Sequence, residues 1–156
     1  MILKKLNNLF QQYDGFLNEW LKLKKPTVVA ASGYFNPLHK GHVEYLEKAK
    51  TLGDKLVVIV NSDHQRAIKG SKEFMDENER MLIVKALRCV DEVILSVDKD
   101  GTVCESLKLV KPDIFAKGGD RFASEIPEAK VCDELKITMV DGLGNKIQSS
   151  SWLLNK

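Results

Sequence analysis

Residues 27–60 read TVVAASGYFNPLHKGHVEYLEKAKTLGDKLVVIV, and this stretch decides the fold. Residues 27–31 and 56–60 are short, largely apolar runs, each next to a pair of turn residues. Between them, residues 40–52 repeat apolar side chains at the spacing of a helix with one buried face. Strands that are apolar on both faces belong to parallel sheets covered by helices. The stretch therefore predicts a strand, a crossover helix and a second, parallel strand.

The same alternation continues along the rest of the sequence. Asp76 is placed to cap a helix that runs to about Leu87, with Glu79 as the capping-box partner. Residues 64–74 are polar and without a period, so we expect a mobile loop there. Further strands are expected at 93–95, 113–116 and 137–140, and further helices at 102–110, at 124–135 and after Ser149. Alternation of this kind predicts a doubly wound, Rossmann-like α/β fold with a parallel sheet.

A separate helix is expected before the α/β fold, from Ile2 to about Leu23. Its apolar residues follow steps of three and four, which is an a/d seam about three heptads long. The seam residues are Leu3, Leu6, Phe10, Tyr13, Leu17 and Trp20. Such a seam packs either on its own domain or against a second subunit; we expect a homodimer, and both placements of the helix stay open. We expect an N-terminal amphipathic helix at 1–25 and the α/β domain at 26–156.

The composition is that of an ordinary folded domain, and it excludes several classes of function. The chain has 156 residues and a formal net charge of +2, which is too small for nucleic acid to be the main partner. Cys89, Cys104 and Cys132 are an odd number of cysteines at wide spacings, so they predict free thiols in the cytoplasm. We find no signal peptide pattern and no run of about 20 apolar residues that would span a membrane.

The loop after the first predicted strand carries two histidines at the start of a helix. It reads GYFNPLHKGH at residues 33–42, and the three-residue step from His39 to His42 lets both rings face one side. Gly33 allows close backbone approach, and the helix start offers free N–H groups to an anion. These features suit a triphosphate that is attacked at phosphorus. Two alternatives stay open: a zinc site, for which His64 is the one remaining histidine, and histidines that only cap the helix or face solvent.

GYFNPLHKGH resembles the HxGH signature of the cytidylyltransferase-like nucleotidyltransferases. Relatives in this family include glycerol-3-phosphate cytidylyltransferase and the adenylyltransferase domain of ADP-heptose synthase. The resemblance implies that His39 and His42 are catalytic. It also implies that the rest of the motif binds the nucleotide: Gly33, Tyr34, Phe35, Asn36, Lys40 and Gly41.

Two later segments resemble further motifs of the same family. KPDIFAKGGDR at residues 111–121 is similar to a stretch of ADP-heptose synthase in which a Gly-Gly turn passes close to the nucleotide. Residues 149–151 resemble the terminal serine/threonine motif that binds the β- and γ-phosphates, although the arginine that precedes this motif in glycerol-3-phosphate cytidylyltransferase is missing and only Lys146 offers charge there. Taken alone, the two segments would be a plain turn and a helix N-cap. The resemblance implies nucleotide binding by Gly118, Gly119, Asp120, Arg121, Ser149, Ser150 and Ser151.

Two basic residues complete the expected site. Residues 60–63 and Lys69-Gly70 match the V-N-S-D and K-G pattern of the heptose relative, which implies that Lys69 acts in catalysis as a lid cation over the phosphates. Glu79-Arg80 is similar to the family's E-R stretch and implies a phosphate contact by Arg80. Each residue has a simpler alternative, a solvated lysine and an exposed helix arginine.

The resemblance covers the sequence from about Val28 to Trp152 and implies a nucleotidyltransferase. It implies transfer of a nucleoside monophosphate from ATP or CTP to a phosphorylated small molecule, with a sugar phosphate favoured and pyrophosphate released. Mg²⁺ is expected to bind through the triphosphate, without a metal site of the protein's own. Two alternatives remain: a CTP-dependent enzyme acting on glycerol phosphate or another alcohol phosphate, and a nucleotide-binding module without catalysis.

Overall fold

The computed structural model describes residues 2–23, 25–118, 126–143 and 153–154. In these ranges the strands are β1 (Val28–Gly33), β2 (Lys55–Val60), β3 (Glu92–Leu95), β4 (Ile114–Ala116) and β5 (Thr138–Val140). The helices are α1 (Ile2–Leu23), α2 (Lys40–Lys50), α3 (Asp63–Lys69), α4 (Glu77–Lys85), α5 (Cys104–Val110) and α6 (Glu128–Leu135).

The strands form one sheet in the order β3-β2-β1-β4-β5, and every neighbouring pair is parallel, which confirms the predicted doubly wound fold. β1 pairs with β2 from Val28 opposite Lys55 to Gly33 opposite Val60, so the two residues expected to turn still belong to the strand. After β3 the chain crosses to the other side of β1, where β4 pairs with it. Ligands of such sheets bind outside the carboxyl ends of the strands, where the strand order reverses. Here that place lies between the ends of β1 and β4.

Two apolar clusters hold helices on the two faces of the sheet. On one face, Leu46 and Ala49 of α2 and Val84 of α4 are completely buried against alternate residues of β1 and β2. On the other face, Leu107 of α5 and Val131 of α6 pack with the opposite row of strand residues. Because strand side chains alternate between faces, a continuous apolar run supplies both clusters at once.

The expectation of a mobile loop at residues 64–74 is wrong, because Asp63–Lys69 forms α3. Ser62 caps this helix by accepting the backbone N–H of Gln65, whose side chain in turn accepts the N–H of Ser62. Gln65 is fully buried and donates to the backbone oxygens of Asp100 and Thr102. The helix is therefore specified by two reciprocal caps and by contacts from distant loops, which a hydrophobic period does not reveal.

Every side chain of α1 that the structure describes is exposed. This exposure contradicts the alternative in which the helix packs its apolar seam on its own domain. In the described part of the chain, none of the helices combines the length and apolar character needed to cross a membrane.

Candidate active site

Tyr45 of α2 joins the two strand ends that flank the reversal of strand order. Its hydroxyl donates to the backbone oxygen of Ala116 at 2.6 Å and accepts the N–H of Ser32 at 3.4 Å. Its ring also lies beneath Gly118, where an added Cβ would come within 3.0 Å of the ring. Tyr45 therefore fixes the first turns of α2, and with them the two histidines, relative to β1 and β4.

His39 and His42 lie together at the N-terminal end of α2, as the sequence predicts. Their rings stack with centroids 3.8 Å apart and planes 22° from parallel. The backbone N–H of His39 donates to Nδ1 of His42 at 3.3 Å. An Nδ1 that accepts this bond carries no proton, so the neutral His42 ring bears its proton on Nε2. Nε2 is then a hydrogen-bond donor held at a helix N-terminus, where anions are stabilised.

Both histidines are neutral at physiological pH. Burial, together with the nearby charges of His39 and Lys69, lowers the pKa of His42 from 6.5 to about 3. Burial also lowers the pKa of His39. Nδ1 of His39 is buried and has no hydrogen-bond partner among the described residues. A buried polar atom of this kind is costly unless a ligand or a water satisfies it.

Phe35 supports His42 from below and does not face the crevice. Its side chain is buried, and its ring meets the His42 ring edge-on with centroids 4.9 Å apart. Gly33 makes room for this ring, because a Cβ there would lie 2.9 Å from it. The absence of a side chain at Gly33 therefore serves the packing of Phe35, and nucleotide binding by Phe35 stays a prediction.

Asn36 is likewise a structural residue, since backbone groups occupy its buried side chain. Its Oδ1 accepts the N–H groups of Phe74 and Met75 at 3.0 and 3.2 Å, and its Nδ2 donates to the oxygen of Lys72 at 2.8 Å. These bonds hold the segment after α3 against the histidine loop. The nucleotide contact expected of Asn36 stays a prediction.

Lys69 reaches the same place from α3. Its ammonium lies 4.3 Å from the centre of the Tyr34 ring, which is within the range of a cation–π contact. Its charge also contributes to the low pKa of His42. The structure therefore brings Lys69 and Tyr34 to the paired histidines, although Lys69 is the last residue of a helix and not part of a loop.

Arg80 is completely buried, so the alternative of an exposed helix arginine is wrong, and the expected phosphate contact stays a prediction. Its guanidinium donates to the backbone oxygens of Tyr34 and Asn61 at 2.8 and 2.7 Å, and to the carboxylate of Asp63 at 2.6 Å. A further bond from Nε goes to the oxygen of Met75. Arg80 therefore ties the histidine loop to the end of β2 and to the start of α3.

The remaining expected residues fall into two groups. Gly41 lies within the first turn of α2, and Lys40 projects outward with a salt bridge to Glu44 at 3.4 Å. Gly118 is exposed just after β4. The others lie outside the described residues: Gly119, Asp120, Arg121, Ser149, Ser150 and Ser151.

A third histidine does not join the pair. His64 is exposed on α3, with Nε2 3.2 Å from the backbone oxygen of Lys99. Among the described residues, there is no group of three or more His, Cys, Asp or Glu side chains that could hold a metal ion. The zinc alternative therefore lacks a third ligand in the described part of the chain.

Sequence reasoning missed the residues that position the site. Tyr45, Asp63 and Gln65 belong to the apolar face of a helix or to a polar segment, and neither pattern indicates their partners. A usable signal for Asp63 was its place in the V-N-S-D match, directly after a predicted strand. Tyr45 gave a weaker one, because it follows His42 by one helical turn.

A parallel sheet whose strand order reverses beside two stacked, neutral histidines defines a nucleotide-binding α/β domain. A family model described as cytidylyltransferase-like matches residues 30–144. The chain belongs to this family of nucleotidyltransferases.

Two bifunctional HldE proteins are among the relatives of this chain. The chain is 39% identical over 137 residues to the bifunctional protein HldE of Pelobacter propionicus, covering 86% of this chain and 26% of that protein. It is 42% identical over 124 residues to HldE of Syntrophotalea carbinolica, covering 78% of this chain and 23% of that protein. The chain thus spans about a quarter of the length of these curated relatives.

Solved structures agree with the fold. The chain is similar to the lipopolysaccharide core biosynthesis protein from Thermoplasma volcanium GSS1, with a TM-score of 0.65 and 33% identity. That match covers 75% of this chain and 96% of the other. A protein of unknown function from Archaeoglobus fulgidus, at 19% identity and a TM-score of 0.55, shares the fold.

Proposed function

We propose that the protein transfers AMP from ATP to the phosphate group of a sugar phosphate and releases pyrophosphate. The observation that carries the proposal is the stacked histidine pair, with Nε2–H of His42 as a donor at the N-terminus of α2. The similarity to the HldE proteins and to a lipopolysaccharide core biosynthesis protein supports a sugar phosphate acceptor. The unsatisfied Nδ1 of His39 adds a position that a phosphate oxygen or its water would fill.

The reaction is an in-line displacement at the α-phosphorus. An oxygen of the acceptor phosphate forms the new P–O bond, the bond to the β-phosphate bridging oxygen breaks, and pyrophosphate leaves with that electron pair. The attacking oxygen is already anionic, so little proton transfer is needed. Catalysis then depends on position and on charge stabilisation, which His42 Nε2–H and the Lys69 ammonium provide.

Neutral histidines suit this role. A neutral ring donates a hydrogen bond to a phosphate oxygen without giving up its proton, and the approach of a polyanion raises the pKa of both rings. The rings stabilise the charge that develops on the leaving pyrophosphate by hydrogen bonding, and no proton transfer to or from them is required. We propose that His39 and His42 act together in catalysis, as hydrogen-bond donors to the phosphate oxygens.

We propose that Mg²⁺ enters with the triphosphate. The described residues at the crevice offer imidazole, amino and backbone N–H groups, and no cluster of carboxylates that would form a cage. This donor set fits a Mg²⁺ ion held by phosphate oxygens and water. When bound, the ion neutralises part of the triphosphate charge.

We also propose a homodimer in the cytoplasm. All three cysteines are free thiols, as expected in a reducing compartment.

The test is pyrophosphate release from ATP and from CTP, each with sugar phosphates, glycerol 3-phosphate and no acceptor. Release that requires ATP and a sugar phosphate supports the proposal. Release with CTP and glycerol 3-phosphate supports the alternative cytidylyltransferase. Nucleotide binding in a thermal-shift assay without release under any condition would identify a catalytically silent module.

A further inference from the structure

Helix α1 exposes three adjacent apolar rows, one more than the a/d seam contains. If Leu3 is placed at heptad position a, Leu21 lies at position e, and the other ten large apolar residues of α1 occupy positions a, d and g. Their side chains are between 46% and 83% exposed. The rows are Leu3, Phe10 and Leu17 at a, Leu6, Tyr13 and Trp20 at d, and Ile2, Leu9, Phe16 and Leu23 at g.

The strands of the sheet are too short to cover the whole of this face. The helix has 22 residues, and at 1.5 Å per residue it is about 33 Å long. The longest strands have six residues and span about 20 Å. An apolar groove of about 440 Å³ does begin at Val28, close to the end of α1, and runs between β3 and α5. A helix laid along the sheet there would cover only about 13 residues, so roughly half of the face would stay exposed.

We propose that two copies of the chain pair through α1 in an antiparallel arrangement. A shared face of about 1,000 Å² per copy is comparable with the roughly 800 Å² that each partner buries in a stable interface. An a/d repeat on identical helices is also the pattern by which such helices pair. The proposal does not depend on the reaction proposed above.

The sizes of the seam residues favour the antiparallel direction. Position a of one helix then faces position d of the other. The largest seam residue, Trp20, therefore packs opposite a leucine and not opposite a second Trp20. The three layers are Leu3 with Trp20, Leu6 with Leu17, and Phe10 with Tyr13, each occurring twice by symmetry. A parallel pair would instead place Trp20 against Trp20 and Leu6 against Leu6, which leaves layers of very unequal volume.

The third row gives independent support. A two-fold axis perpendicular to the helices places the g row of one copy beside the g row of the other, so Leu9 lies near Phe16 of the second copy. In a parallel pair, the g row would lie beside position e, where Asn7 and Asp14 would face apolar side chains. The antiparallel pair therefore joins the apolar g rows on one side and, on the other, the e rows, in which Asn7 and Asp14 are polar and Leu21 is apolar.

Light scattering on the full chain tests the surface. We expect a mass of twice 17.6 kDa for the wild type and a monomer for the double variant Leu6→Glu/Leu17→Glu. The matched control Asn8→Glu/Gln12→Glu adds the same charge on the outer side of α1 and stays dimeric. A monomeric or tetrameric wild type, or a dimeric Leu6→Glu/Leu17→Glu variant, would overturn the proposal.

Cysteine cross-linking tests the direction. Under oxidation, the double variant Leu6→Cys/Leu17→Cys should form a cross-linked dimer, because each new thiol faces the other residue in the second copy. The single variant Leu6→Cys should give no more dimer than the parent chain. Efficient cross-linking of Leu6→Cys alone would show a parallel pair and contradict the antiparallel arrangement.

Discussion

At the scale of single residues, the site depends on two basic side chains in unusual surroundings, a histidine that is held neutral and an arginine that is buried. His42 is a neutral donor because burial and two neighbouring basic groups disfavour its protonated form. Arg80 is buried, and its guanidinium donates hydrogen bonds to one carboxylate and three backbone oxygens. The first residue faces the crevice, and the second fixes the elements around it. Substitution of His42 should therefore lower activity, whereas substitution of Arg80 should lower stability.

His42→Ala should lower kcat/KM by about 10²–10³, the usual effect of removing one donor to a developing charge. The fold should persist, because His42 makes one backbone hydrogen bond and lies at a helix end. Steady-state pyrophosphate release and thermal melting of the variant would measure both effects. His64→Ala, on the exposed side of α3, is the control and should keep wild-type activity. An active His42→Ala variant would refute the proposed mechanism.

The low pKa of His42 also predicts how stability depends on pH. The unfolded chain binds a proton at this residue below about pH 6.5, whereas the folded chain does so only near pH 3. The stabilisation from a neutral ring is therefore complete above pH 6.5 and is lost as pH falls, by at most about 1.4 kcal/mol per pH unit. Urea unfolding at pH 7 and pH 5 should show a larger loss for the wild type than for His42→Gln. Equal losses would contradict the assignment, and His64→Gln should behave as the wild type.

Arg80→Met should reduce the free energy of unfolding by about 3–5 kcal/mol, because it removes the buried guanidinium that pairs with the Asp63 carboxylate and donates to three backbone oxygens. The control Arg88→Met removes an exposed arginine from the same region and should have little effect. Adding Asp63→Asn to Arg80→Met should recover part of the loss, since the unpaired charge is then gone. Equal stability of Arg80→Met and Arg88→Met in urea unfolding would exclude a structural role for the buried guanidinium.

At the scale of elements, the sequence predicted what is specified locally. The apolar runs at residues 27–31 and 56–60 identified β1 and β2, and the Asp76–Glu79 pair identified the start of α4. Helix α3 was missed because its anchor, Gln65, bonds to backbone groups about 35 positions away. The burial of Arg80 was missed for the same reason, since the sequence of a short helix does not show whether a charged residue has buried partners.

Tyr45→Phe tests how far one side chain holds elements together. The variant keeps the ring beneath Gly118 but loses the hydroxyl that bridges Ser32 and Ala116. Burial raises the pKa of Tyr45 well above its usual value, so the wild-type hydroxyl remains a donor. We expect a loss of about 1–3 kcal/mol in unfolding free energy, measured by urea titration, together with a raised KM for the nucleotide. Unchanged stability and KM would show that packing alone fixes α2.

At the scale of the whole molecule, the fold follows from the order of strands and helices and the family from motifs such as GYFNPLHKGH, and the sequence shows both. The sequence does not show the relation between copies, because an exposed apolar face in one chain is compatible with several partners. The a, d and g rows of α1 restrict those partners through size and symmetry.

The junction of β1 and β4 also has a consequence for synthesis. Ala30 pairs with Phe115, so the wall of the crevice is closed by a segment made long after the histidines. A growing polypeptide that has left the ribosome only as far as β3 carries His39 and His42 but has no second wall for a triphosphate. Nucleotide binding must therefore await synthesis of the later half of the chain. The bound nucleotide would then stabilise the contact between an early and a late segment of the polypeptide.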